Sequence, residues 1–344
     1  MSTFIDRVDP ELLPGLAYSQ DFPPPTTIEE LLAFRELTCA PAPKTVTTTT
    51  PAAVATYTAS GVPLLIHAAA PGPAPAILWI HGGGMIAGEA AADTDYCWNL
   101  SQATGATVIA VDYRLAPEHP YPAALEDVLE ALDWLFTSAD SLLIDLNRIA
   151  IAGSSAGAGL AAAASRVDRD RHGPRLVFQY LMYPMLDDSH STPSSLEFHN
   201  IPTWNRHHSL FAWQSYLAHF PASPLAAPAC ATRLQGLPPT LIQVGELDLF
   251  RDEDIDYAQR LLAAGVPVEL HVYPGAYHGY ELTVPEARVS RQTLQDRDRA
   301  FNRALSTRAS GGPPSTPAAS DAVSDAASDA ASVMPTPSIG TAPP

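Results

Sequence analysis

Cysteine is scarce in this chain. Cys39, Cys97 and Cys230 are the only three in 344 residues. An odd number at wide, irregular spacing excludes a disulfide framework and a thiolate metal site, and points to free thiols in a reducing compartment. Basic residues are also few: 19 Lys and Arg stand against 37 Asp and Glu, a net charge of −18 with no basic patch to offset it. Nucleic acid and anionic membrane surfaces are therefore excluded as expected partners. After Met-Ser-Thr-Phe-Ile-Asp-Arg no apolar segment of signal-peptide length follows, and no window approaches a membrane span. A cytosolic (cytoplasmic) location is the default expectation. What the chain does have is a hydrophobic share of 46%, enough for a sizeable core in one large domain or two ordinary ones.

The most informative stretch is Gly153-Ser154-Ser155-Ala156-Gly157. Ile149, Ile151 and their alanine neighbours read as a buried strand before it, and Ala156 through Arg166 as an alanine-rich helix after it. A serine between two glycines at such a junction fits a sharp strand-to-helix turn. That turn strains the serine backbone and exposes its hydroxyl above a sheet, while the glycines let the chains pass closely.

Around this point short apolar strands alternate with helices. Strands are expected at 76–80, 107–112, 148–152, 177–183, 240–244 and 268–273, and helices at 95–104, 123–137 and 253–264. Such alternation implies a mostly parallel sheet covered on both faces. Stretches 45–57 and 62–68, divided by Ser60-Gly61, read as an antiparallel pair opening the sheet. Residues 1–44 form an N-terminal arm or cap with a helix at 27–38, whose Ile28, Leu31, Leu32 and Leu37 are expected as its apolar stripe. The segment 184–228 breaks the alternation and carries Trp204, His207, His208, Phe211, Trp213, Tyr216 and Phe220. It reads as a lid walling an apolar pocket, with Trp204, Phe211 and Trp213 as candidate substrate contacts, or as an ordinary helix packed on the core. Residues 45–308 make up the catalytic domain. From 309 to 344, glycine, proline and the repeat Ser-Asp-Ala-Ala leave too few large apolar residues to offset the entropy of ordering, so this tail is expected to be disordered.

A serine nucleophile needs a base within hydrogen-bond reach and a group to orient that base. In a strand-turn-helix arrangement they follow in the order serine, acid, histidine. Asp248 follows the strand at 240–244, with Glu246 and Asp252 as competing acids. His278 follows the strand at 268–273 in a glycine-bracketed loop. Both fall at carboxyl ends of strands, where their side chains converge with Ser155. The oxyanion needs donors too. His81-Gly82-Gly83-Gly84 follows the strand at 76–80, so the amides of Gly83 and Gly84, with that of Ala156, are the candidate hole. A phosphate loop is disfavoured, since neither G-x-G-x-x-G nor a following lysine is present. His81 reads as a scaffold for the loop.

Together His81-Gly82-Gly83-Gly84, Asp112-Tyr113-Arg114-Leu115-Ala116-Pro117-Glu118 before Pro120-Tyr121-Pro122-Ala123, Gly153-Ser154-Ser155-Ala156-Gly157, Asp248 and His278-Gly279-Tyr280 resemble the hormone-sensitive-lipase-like family of α/β-hydrolases, over roughly residues 75–300. The resemblance implies an α/β-hydrolase fold with a mostly parallel eight-stranded sheet, helices on both faces and a helical cap. It also implies hydrolysis of carboxylic esters through an acyl-enzyme on Ser155, with no cofactor and no metal, and the cramped aromatic lid favours small to medium esters. The chain departs from the family pattern at Ser154, where aspartate is usual, and at Leu249, where proline is usual; these bear on substrate rather than reaction class. The same triad would also serve a lactone, thioester or amide, or acyl transfer in specialised metabolite biosynthesis. A ligand-binding receptor on this fold is the alternative from another class, against which an intact His278 argues. A homo-oligomer is compatible with the sequence.

Overall fold

In the computed structural model of the chain, the described residues are 3–19, 23–39, 50–68, 72–173 and 175–306. Strands β1 (Val54–Tyr57), β2 (Pro63–His67), β3 (Ala74–Ile80), β4 (Thr107–Val111), β5 (Ile144–Ser154), β6 (Phe178–Met182), β7 (Thr240–Gly245) and β8 (Val268–Tyr273) pair into one sheet in the order β1-β2-β4-β3-β5-β6-β7-β8. The pairings of β2 with β1 and with β4 are antiparallel, and the rest are parallel. Strands β4, β6 and β7 are buried at every residue. Parallel strands covered on both faces are apolar throughout rather than alternating, which is why these runs stand out in the sequence.

Three helices precede the sheet: α1 (Phe4–Arg7), α2 (Leu13–Ser19) and α3 (Ile28–Cys39). Between strands run α4 (Thr94–Thr104), α5 (Ala123–Ser138), α6 (Ala156–His172), α7 (Pro193–Glu197), α8 (Arg206–Leu217) and α9 (Arg251–Ala263), and α10 (Tyr280–Thr283) and α11 (Arg288–Leu305) close the described chain. Successive strand residues serve opposite faces. Leu78 and Ile80 of β3 and Ile149 and Ile151 of β5 pack into the core that includes Leu132 of α5, Leu160 of α6 and Leu261 of α9. Ile77, Trp79, Ala150 and Ala152 pack into the opposite core with Leu100 of α4 and Phe301 of α11. Each fully buried large side chain of this kind contributes about 1.5–3 kcal/mol relative to an exposed one.

Two expectations need correction. Among the described side chains of α3 the buried apolar ones are Leu31 and Phe34, whereas Ile28 and Leu32 are about half exposed, and the Leu37 side chain lies outside the described part. The helix is held partly by Arg35, which donates to the Ile86 and Ala116 carbonyls and pairs with Glu118 at 2.7 Å. The periodicity that sequence analysis follows stops at β8, yet the long helix α11 comes after it. Residues 45–49 of the expected first β stretch and the tail 309–344 lie outside the described residues. Cys97 and Cys230 are free thiols, and the side chain of Cys39 is outside the described part. Among the described residues no helix is long and apolar enough to cross a membrane.

Register brings the chemistry to one edge. Ile80 pairs with Gly153, Ser154 with Met182, Met182 with Gln243, and Gly245 with Tyr273. The loops after β3, β5, β6, β7 and β8 therefore leave the sheet side by side at its carboxyl edge, where ligands of open α/β sheets bind.

Candidate active site

Ser155 lies between β5 and α6 with φ 53° and ψ −118°, a conformation that side chains rarely adopt and that costs on the order of 1–3 kcal/mol. The flanking glycines make the turn sterically feasible. A β-carbon at Gly157 would sit 2.1 Å from the Ile80 carbonyl oxygen, and one at Gly153 would sit 2.5 Å from the Gly157 backbone. The turn is fastened on both sides: Ser155 N–H donates to the Met182 carbonyl at 2.8 Å, and Met185 N–H donates to the Ser155 carbonyl at 3.0 Å. The hydroxyl is thus held where β3, β5 and β6 end.

His278 Nε2 lies 3.1 Å from Ser155 Oγ, and its Nδ1 lies 2.8 Å from Asp248 Oδ2. Asp248 is fully buried, and its other oxygen accepts the Phe250 N–H at 3.0 Å. The carboxylate is therefore held in one orientation, with Nδ1–H as donor and Nε2 as acceptor towards the serine. The competing acids point elsewhere. Glu246 accepts the Gly275 N–H and pairs with Arg7, and Asp252 pairs with Arg251 and accepts the Ser194 N–H.

Gly83 and Gly84 both have positive φ, 109° and 64°. Among the described residues no donor bond is made by the amides of Gly83, Gly84 or Ala156. The loop is braced beneath. His81 stacks on Tyr113 at 4.1 Å between centroids, its Nδ1 is 2.8 Å from the Gly82 carbonyl, and the Tyr113 hydroxyl donates to the His81 carbonyl at 3.0 Å. Burial pushes the His81 imidazole below its ordinary pKa, so it is a neutral scaffold. The neighbouring segment is structural as well. Asp112 accepts the Ala90 N–H, and Arg114 forms a two-pronged pair with buried Asp127.

Trp204 lies beside this loop, with its ring 6.3 Å from that of His278. It stacks on His208 at 5.1 Å, and Phe34 of α3 touches both. The N-terminal arm and the 184–228 insertion therefore meet over the carboxyl edge. The other two aromatic candidates sit differently. Trp213 is buried edge-on against Tyr216, and Phe211 packs against the same core. His207 is exposed. Sequence reasoning missed Tyr183, whose ring lies 4.4 Å from that of His278. A tyrosine at a strand end carries no motif, and only the sheet register reveals its neighbour. Among the described residues no three His, Cys, Asp or Glu side chains gather as a metal site.

A family model described as the alpha/beta hydrolase fold matches residues 77–282. Esterase LipI of Mycobacterium tuberculosis is 41% identical over 212 residues, 60% of this chain and 66% of that protein. Carboxylesterase NlhH of the same species is 41% identical over 224 residues, 62% of this chain and 69% of that one. The chain thus spans about two thirds of the length of these relatives, just under that for the first. Among solved structures, esterase LipW from Mycobacterium marinum superposes with a TM-score of 0.79 at 40% identity, covering 88% of this chain and 97% of that one.

Proposed function

The chain belongs to the alpha/beta hydrolase fold family, in its hormone-sensitive-lipase-like branch, and from that premise we propose that it is a serine carboxylesterase acting on small to medium esters. The observation that carries this reading is His278, which bridges the Ser155 hydroxyl and the buried Asp248 carboxylate. Relatives named as ester hydrolases at 36–41% identity favour hydrolysis over acyl transfer or ligand reception.

In the proposed reaction His278 Nε2 takes the Ser155 proton as Oγ bonds to the ester carbonyl carbon. Asp248 fixes the imidazole tautomer and stabilises the imidazolium. The carbonyl oxygen becomes an oxyanion that accepts from the Gly83, Gly84 and Ala156 amides. When the bond to the alcohol oxygen breaks, His278 gives that oxygen its proton. Water then attacks the acyl-enzyme with His278 as base, and the carboxylic acid leaves as Ser155 regains its proton. The arm (1–44) and the insertion (184–228) act as the cap over a catalytic domain spanning 45–308, and Trp204 supplies an apolar wall close to the reacting carbon.

The test is turnover of a short-chain aryl ester by Ser155→Ala. A fall in kcat on the order of 10⁴-fold or more is expected; undiminished turnover would overturn the reading.

A further inference from the structure

The base is flanked by a buried pair that the reaction above does not use. Tyr183 follows β6 directly, is 1% exposed, and holds φ 35°, in the left-handed region. Its N–H donates to the Gln243 carbonyl at 2.6 Å. Met182, just before it, and Met185, two residues after it, fasten the Ser155 backbone. Its ring packs tilted against the His278 imidazole, and Phe250 meets that imidazole edge-on from the other loop, at 5.3 Å. Beyond the ring, the Tyr183 hydroxyl donates to Glu281 Oε1 at 2.5 Å. Glu281 sits on α10, three residues past His278, and is 3% exposed. Among the described residues its second oxygen, Oε2, has no hydrogen-bond partner.

A buried carboxyl group with one oxygen unpaired is costly, and a non-glycine residue held at positive φ adds strain. Both costs fall on the two residues that connect β6, the strand bonded to the Ser155 turn, to the loop bearing the base. Local cost concentrated against a reacting group is the pattern expected of pre-organisation.

We propose that Glu281 is a positioning residue for His278: its bond from the Tyr183 hydroxyl anchors the aromatic wall that keeps the imidazole between Asp248 and Ser155. The proposal rests on His278 being the base. Burial brings the Glu281 carboxyl up to about pKa 7, and either protonation state has an oxygen able to accept the tyrosine proton.

The experiment is a double-mutant cycle with Tyr183→Phe, Glu281→Leu and their combination, with Glu281→Gln and Ser155→Ala as controls. Rates are expressed per titrated active site, so loss of folded enzyme alters the site count and not kcat. Tyr183→Phe and Glu281→Leu should each lower kcat about tenfold with KM within about twofold. The double variant should lose no more than either single one, because both break the same tether. Glu281→Gln keeps an acceptor and should stay within about threefold of the parent. Unchanged kcat per site in Tyr183→Phe, or losses that multiply in the double variant, would overturn the proposal. If Glu281→Leu does not fold, Tyr183→Phe alone decides. An active Ser155→Ala would instead overturn the catalytic reading itself.

Discussion

A β-carbon built on Gly84 would lie 2.5 Å from the edge of the Trp204 indole. The 82–84 loop and the insertion are thus in close contact, and an indole of the insertion occupies the space beside the loop. On the proposed reading, indole volume rather than polarity limits the acyl group. Trp204→Ala should raise kcat/KM for an eight-carbon acyl ester relative to a four-carbon one by about tenfold, in line with a few methylenes gaining apolar contact. A panel of aryl esters of increasing chain length checks this, and an unchanged chain-length profile counts against Trp204 as the limiting wall.

Gly83 is the more exacting glycine. It combines φ 109° with a would-be β-carbon 2.1 Å from the backbone oxygen of Ala87, so the loop has to shift to accept any side chain. Gly83→Ala should lower kcat by about 10²–10³-fold, the usual loss when an oxyanion donor is displaced. It should also destabilise the fold by about 1–3 kcal/mol. Steady-state kinetics alongside urea unfolding separates the two effects.

Buried acids set the pH dependence of stability. Burial lifts Glu281 from its ordinary 4.5 to about 7, and raises Glu253 and Asp254 well above the usual carboxylate range. Between pH 4.5 and 7 the folded chain keeps the Glu281 proton that the unfolded chain has lost, so stability falls as pH rises through this window. For Glu281 alone the loss is about 3 kcal/mol by pH 8. Urea unfolding at pH 5 and pH 8 should show Glu281→Gln gaining on the parent at the higher pH. Parallel pH dependence in the two would contradict it.

The strands were legible because both faces of the sheet are buried, which leaves Ile77 to Ile80 and Ile149 to Ala152 uninterrupted by polar residues. The glycines around Ser155 and in the 82–84 loop were legible as a motif, and three of them, Gly83, Gly153 and Gly157, meet backbone that no side chain would clear, while Gly84 faces the Trp204 indole. Helix α11 was not. Its buried face mixes Val289, Phe301 and Leu305 with Ser290, Thr293 and Arg297, and serine, threonine and arginine do not mark an apolar stripe. The place of Asp248 in the loop after the strand favours it over Glu246 and Asp252, although the three lie within seven residues of one another, and the structure directs only Asp248 to His278. Aromatic content did not separate Trp204 from Trp213 either; the bend before α8 places Trp204 beside Gly84, whereas Trp213, on α8 itself, packs against Tyr216. The Tyr183 and Glu281 pair depends on the register between β6 and its neighbours, which no local pattern encodes.

The central claim is that Ser155 Oγ carries the acyl group during turnover. Intact-protein mass spectrometry during reaction with a slowly deacylating aryl ester, followed by peptide mapping, tests it directly. One acyl adduct per chain is expected, located on Ser155 in the peptide spanning Gly153 to Gly157 and absent from Ser155→Ala. An adduct on another residue, or turnover with no adduct on Ser155 when deacylation is slowed, would contradict it.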